Sequence, residues 1–264
     1  DDSIARIAPG GTVILRRARG YVPQPIALPW ESPPIFACGG DLKSAFCLTK
    51  GNTALMSQHL GDLENVATLE HFRRVADHFR EFFDVQPAAV THDLHPDYHS
   101  TRYARSLNLP CIAVQHHHAH IAACMTEHHL EGPVIGVAFD GTGYGPDGTI
   151  WGGEFLIADY ADFYRAGRLA PFPLAGGEAA IKRPGRIALG LLPDASIPGL
   201  PDAEAAIARA QIARGLNTPL TSSMGRLFDA ASALLGICSE VTYEGQAAME
   251  LETVADRAAD RTYP

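Results

Sequence analysis

Positive charge is in short supply in this chain: 21 lysines and arginines stand against 30 acids in 264 residues, a formal net charge of −9. Non-specific nucleic-acid binding rests on cations that neutralise phosphates, so the balance argues against that class of function. Arg16, Arg17 and Arg19 still leave room for a local basic patch. CxxC spacing is also missing. The five cysteines (Cys38, Cys47, Cys111, Cys124 and Cys238) are odd in number, and four sit inside apolar runs. That pattern fits free thiols in a reducing compartment better than a disulfide scaffold. There is no signal peptide and no apolar run of the roughly 18 residues that a membrane helix needs, so a soluble, cytoplasmic protein is expected. The chain opens on Asp1-Asp2 without Met, as a piece cut from something longer would.

What is present begins with a change of texture. Ile4 to Arg19 offers one or two short strands, and the prolines that follow, up to Pro33 and Pro34, predict an extended connector, with residues 27–33 as a Pro-rich linker. Residues 1–26 read as the tail of a preceding domain, and residues 34–264 as the main one. Short apolar runs at 35–38, 45–48 and 54–56, with a turn at Lys50-Gly51-Asn52, predict a three-strand meander. A helix should follow, with Leu69, Phe72, Val75, Ala76, Phe79, Phe82 and Phe83 on one face and Thr68 as its N-cap. Strand 88–91, a helix near 98–107 and strand 111–114 lead into a helix that carries histidines. The order β-β-β-α-β-α-β-α is that of a ribonuclease-H-like half-domain. The pattern restarts at Val134, with a strand to Phe139, a glycine-rich turn and a returning strand from Trp151 to Ile157. An α/β fold with two such halves, the actin-like ATPase architecture, is expected. Helices near 186–192, 203–214, 224–235 and 244–255 make the C-terminal part helical, and the strands that should complete the second half do not arrive before Pro264.

Two constellations carry chemistry. His116 and His120 stand four apart, on one face of a helix, the spacing at which two imidazoles share a cation. Asp140, at the end of the strand that follows, could add a hard oxygen ligand. Two His and one carboxylate leave a position open and suit Zn²⁺ or Fe²⁺; the competing reading is a merely polar helix start. His117 and His118 point elsewhere on the helix, and His128-His129 suit a helix C-terminus. Asp93-Leu94-His95-Pro96 could border a cleft or form a structural turn. The second constellation is glycine-rich: Gly39-Gly40-Asp41-Leu42-Lys43-Ser44 in one half, and Gly141 to Gly148 in the other, with Thr142, Tyr144 and Asp147 interleaved. Glycine lets backbone amides approach phosphate oxygens, and Lys43 can add charge. A third segment, Gly176-Gly177-Glu178 followed by Lys182, Arg183 and Arg186, offers an acid for ribose hydroxyls and cations for an anion, or else a solvated loop.

Five strings in order are similar to those of the HypF family: RRARGYVPQPI (16–26), VQHHHAHIAA (114–123), FDGTGYGPDGTIWGGEF (139–155), SSMGRLFDAASALLG (222–236) and YEGQAAMELE (243–252). These are carbamoyltransferases of [NiFe]-hydrogenase maturation. The resemblance implies the end of a YrdC-like domain over residues 1–26 and a Kae1-like domain from 34, C-terminally truncated. It implies that carbamoyl-adenylate, made from carbamoyl phosphate and ATP, passes its carbamoyl group to the C-terminal cysteine of HypE. His116, His120 and Asp140 carry over as metal ligands. Gly39, Gly40, Lys43, Gly141, Thr142, Gly143, Gly177 and Glu178 carry over to adenylate binding, with Lys43 and Asp140 catalytic. Glu178 stands where the family usually shows Asp, and Gly185 where it shows a bulky aromatic. The neighbouring alternatives are a Kae1-type tRNA threonylcarbamoyltransferase, an O-carbamoyltransferase of secondary metabolism, and a non-enzymatic nucleotide-binding scaffold.

Overall fold

A computed structural model describes residues 2–8 and 10–256. Asp1 and residues 257–264, read above as a cut start and the end of the main domain, lie outside the described residues. The chain divides into two compact units at Gly132/Pro133. That boundary is where the strand pattern restarts in the sequence, and residues 1–26 fall within the first unit.

The first unit opens with β1 (Ile4–Ala8) and β2 (Gly11–Arg16), an antiparallel hairpin. Next come β3 (Ile26–Ser32), β4 (Ile35–Cys38), β5 (Phe46–Met56), α1 (Val66–Phe82), β6 (Ala89–Asp93), α2 (His99–Ser106), β7 (Cys111–Val114) and α3 (His116–Glu127). The sheet order is β3-β5-β4-β6-β7. The eleven residues of β5 are a hairpin folded on itself. Fully extended, they would span roughly 36 Å, yet the Ser57 N–H donates to the Phe46 carbonyl at 2.8 Å. The reversal lies at Gly51 (φ 58°), beside a bond from the Thr53 hydroxyl to the Lys50 carbonyl. One arm pairs with β4 and the other with β3, so the meander expected from the sequence is present.

The linker expected over 27–33 is not a free connector: β3 is the edge strand of this sheet. Its ladder slips between Ala27 and Ser32, where Pro29 falls. An edge strand with an irregular register is where a residue without an N–H is tolerated. The N-cap of α1 is Asn65 rather than Thr68. Asn65 has an extended backbone, and its Oδ1 accepts the N–H groups of Ala67 and of Thr68 itself. Phe72, Ala76 and Phe79 of α1 are buried while Phe82 is exposed. Phe72 meets Phe46 and Tyr103 edge-on, with centroids 5.6 and 5.3 Å away, and Phe36 lies 5.2 Å from Phe46.

The second unit holds β8 (Val134–Tyr144), β9 (Ile150–Ala158), β10 (Phe163–Arg168), β11 (Phe172–Pro173), α4 (Glu178–Lys182), α5 (Gly185–Leu191), α6 (Asp202–Arg214), β12 (Leu220–Thr221), α7 (Met224–Leu234) and α8 (Gln246–Val254). Strands β8, β9 and β10 form an antiparallel meander, and two-residue β12 joins the start of β9 in parallel. The four helices expected are present; β10, β11, β12 and α4 carry too little periodicity to have been read. Leu174, Ile187, Leu189, Ala230 and Ala233 form the core under α5 and α7.

Of the cysteines, Cys38 and Cys238 are buried, but Cys111 and Cys124 are exposed, so an apolar run did not mean burial at those two. No helix of the described residues is long and apolar enough to cross a membrane.

Candidate functional site

In the first unit β4, β6 and β7 are parallel, so their carboxyl ends share one edge, the place where open α/β sheets bind ligands. Gly39-Gly40 follow β4, Asp93 ends β6, and Gln115-His116 follow β7. Gln115 caps α3, its side chain accepting the His118 N–H at 2.9 Å. The first turn of the helix then presents His116 to Asp93: Nδ1 lies 2.7 Å from Oδ2. An ionised carboxylate only accepts, so Nδ1 carries the hydrogen and Nε2 keeps its lone pair. That Nε2 lies 3.1 Å from the Nε2 of His120, one turn on. Two imidazole nitrogens on a tetrahedral zinc at 2.0–2.1 Å stand roughly 3.3 Å apart. The pair fits a shared cation.

Asp93 is buried, which by itself raises a carboxyl's pKa. Hydrogen bonds from His116 and from the His95 N–H outweigh that and hold it below its ordinary value. Its Oδ1 accepts the His95 N–H at 2.8 Å, so the turn-former and the cleft residue are the same side chain. An acid at the end of β6, the parallel neighbour of the strand that leads into the HxxxH helix, was the signal for it. His117 and His118 are buried. The helical spacing turns them from the pair, yet the His117 ring stays close to it, with centroids 5.3 Å from His116 and 6.4 Å from His120; its Nδ1 lies 3.3 Å from Gln115 Nε2. His95 stacks on Tyr98 at 4.1 Å, and His128 is the C-cap of α3.

The loop after β4 flanks His116: a Cβ on Gly40 would lie 4.0 Å from His116 Cε1. At Gly39 a Cβ would meet the Ala45 carbonyl oxygen at 2.6 Å, so only glycine closes this turn. Asp41 in the same loop is turned onto α2, accepting the His99 and Ser100 N–H groups at 2.7 and 2.9 Å. The N-terminus of α2 therefore already faces a carboxylate. Lys43 is exposed, with φ 50°.

In the second unit the first part of the glycine-rich turn expected over 141–148 is a bulge within β8. The β8–β9 register passes from Phe139↔Gly153 to Gly143↔Trp151, so Asp140, Gly141 and Thr142 face Gly152 alone. The hairpin turns later, at Gly145, whose N–H donates to the Thr149 carbonyl at 3.0 Å. Asp140 Oδ1 accepts the Gly141 N–H at 2.6 Å, and Thr142 is exposed.

Behind the bulge Glu154 is fully buried. Its Oε1 accepts from the N–H groups of Gly152 and Gly153 and, at 2.5 Å, from the Ser222 hydroxyl. The Arg165 Nε donates to Oε2 at 2.6 Å, and its guanidinium lies 3.8 Å over the Trp151 ring. Arg165 also reaches Asp147 at 2.9 Å. Burial would raise the Asp147 carboxyl, but bonds from Thr149 and Trp151, and the Arg165 charge, hold it down at about 2. Asp147 belongs to the glycine-rich turn and Glu154 to the returning strand read from the sequence, but nothing there announced their pairing with Arg165.

Gly177 is the N-cap of α4, and Glu178 is exposed in its first turn. Two of the three cations expected to serve an anion there, Arg183 and Arg186, are engaged elsewhere. Arg183 pairs with Glu204 and Glu240, each at 3.1 Å. Arg186 pairs with Glu204 at 3.1 Å and donates to the Ala175 carbonyl at 2.8 Å. These contacts tie α5 to α6 and the preceding loop.

Two family models match the chain: "HypF Kae1-like domain" over residues 31–127, and "Carbamoyltransferase, Kae1-like Domain, second subdomain" over 136–264. The carbamoyltransferase HypF of Rhizobium leguminosarum bv. viciae is 43% identical over 260 residues, covering 96% of this chain and 34% of the relative. A crystal structure of full-length HypF in the phosphate- and nucleotide-bound form is similar at TM-score 0.91 and 48% identity, over 96% of this chain and 34% of that one. That of T. kodakarensis HypF is similar at 0.86 and 35%, over 96% and 36%. The chain spans about a third of the length of these relatives.

Proposed function

Because the chain belongs to the HypF family, as a Kae1-like segment of it, we propose that it carries out the carbamoyl-transfer step. The donor is carbamoyl-adenylate, made from carbamoyl phosphate and ATP, and the acceptor is the C-terminal cysteine thiol of HypE. The observation that carries the reading is the convergence of the His116 and His120 Nε2 atoms, one of them fixed by Asp93.

In this reading His116, His120 and Asp140 hold a Zn²⁺ or Fe²⁺, either of which suits two imidazoles and a carboxylate. The cation, when bound, polarises the carbamoyl carbonyl as a Lewis acid. Sulfur bonds to the carbamoyl carbon, the bond from that carbon to the adenylate oxygen breaks, the thiol proton leaves, and AMP departs. Gly39 and Gly40 in one loop, and Gly141, Thr142 and Gly143 in the other, let the backbone approach the adenylate. The Gly39 and Gly141 N–H groups are already given to the Ala45 carbonyl and Asp140 Oδ1, so the Gly40 and Thr142 amides and the Lys43 ammonium stabilise the charge that grows on the departing phosphate. Gly177 and Glu178 serve the nucleoside end. A free acceptor thiol places the reaction in the reducing cytoplasm.

The test uses a full-length HypF carrying this sequence, supplied with carbamoyl phosphate, ATP and HypE. His116→Ala and His120→Ala should abolish transfer to HypE while carbamoyl-adenylate synthesis persists. Wild-type transfer in both variants, with metal content unchanged, would overturn the assignment.

A further inference from the structure

Asp140 lies in a bulge where three residues face Gly152 alone, so the strand register does not by itself specify its shape. Something else must set its shape. One side chain in contact with it is Ser223, fully buried and the N-cap of α7. Its Oγ lies 2.7 Å from the Asp140 carbonyl and 2.9 Å from the Gly141 carbonyl, and it accepts the Arg226 N–H at 3.1 Å. One hydroxyl thus donates to the bulge and accepts from the helix, as a single Ser oxygen can.

The surroundings are cut to this contact. A Cβ on Gly152 would lie 2.6 Å from the Asp140 carbonyl oxygen and 3.0 Å from Ser223, and one on Gly225 would lie 2.9 Å from the Gly141 Cα. Ser223 is itself held from behind: its N–H donates to Thr221 Oγ1 at 3.0 Å, and its neighbour Ser222 is bonded to buried Glu154.

We infer that Ser223 is a positioning residue that fixes the Asp140–Gly141 backbone, and so presents the Asp140 carboxylate in the orientation that binds metal. The inference rests on the reading of Asp140 as a metal ligand. Helix capping alone would also place a serine here, but capping needs only an acceptor. The two carbonyls need the donor.

Glycine is nearly as good an N-cap as serine but has no hydroxyl, so Ser223→Gly separates the two roles. In the full-length protein, cobalt(II) is titrated by its visible absorption while melting is followed by circular dichroism. The site's signal is the part lost in His116→Ala. Ser223→Gly should lower cobalt affinity ten- to a hundredfold, the range seen when a ligand loses its supporting contact, with melting almost unchanged. Gly225→Ala, which favours the helix but wedges a methyl against Gly141, should lower it similarly, and it decides the matter if Ser223→Gly does not fold. Wild-type affinity in these variants, with Asp140→Ala still losing the metal, overturns the role of Ser223 and leaves the ligand set standing. Wild-type affinity in Asp140→Ala overturns both.

Discussion

Asp93 is the residue on which the imidazole pair depends. Its carboxylate determines which nitrogen of His116 holds the hydrogen, so its loss should be felt as a change of tautomer rather than of fold. Asp93→Asn keeps the size and the bond to the His95 N–H, but its amide can also donate to Nδ1, which frees the wrong nitrogen. Metal affinity is expected to fall about ten- to a hundredfold, read by competition with a chelator, with the melting temperature close to wild type. At Asp147 the expected effect is on acid stability. Its folded pKa, about 2, lies below the roughly 3.9 of an unfolded aspartate. Its contribution is therefore complete above about pH 4 and is lost as the pH falls toward 2. Asp147→Asn should flatten that part of an acid-unfolding curve; an unchanged curve would mean the Thr149, Trp151 and Arg165 contacts do not act on stability. The two histidines were legible because four-residue spacing is a helical signal. Asp93 was only half legible, because its partner lies on another element. The pairing of Glu154 with Arg165 gave no signal, since a buried ion pair between neighbouring strands leaves no periodic trace.

Elements were easier to find than their ends. The aromatic stripe of α1 was plain at 3.6-residue spacing, yet its cap was misplaced: Thr68 and Asn65 are both good capping residues, and only backbone geometry separates them. Asn65→Ala should cost about 1 kcal/mol, whereas Thr68→Ala should cost little. Phe72→Ala, which empties the centre of the first core, should cost about 3–5 kcal/mol. Urea unfolding of the three variants measures the difference. The proline-rich stretch misled because composition reports stiffness but not pairing: β3 is extended, as read, and also hydrogen-bonded. At Asp140 the glycines announced a change in the strand, but a bulge and a turn draw on the same residue, and only the β9 register distinguishes them.

At the scale of the molecule, the α/β class, the restart near Val134 and the family were all legible, because each is spread over many residues and survives local error. The family assignment rested on five ordered strings, and two family models cover four of them, the string at 16–26 lying outside both. What stayed out of reach was whatever depends on contact between distant segments, such as the engagement of Arg183 and Arg186 with Glu204, or the clasp of α7 on the bulge. A last consequence concerns the two tryptophans. Each unit holds one: Trp30 on the exposed edge strand of the first, and Trp151, buried beneath the Arg165 guanidinium, in the second. The protein thus contains a water-facing and a shielded fluorophore in separate bodies. Emission from Trp30→Phe should be blue-shifted and report the second unit alone, and Trp151→Phe should leave a red-shifted emitter on the first. Whether the two bodies come apart in one step or in sequence can be seen by light, without attaching a dye.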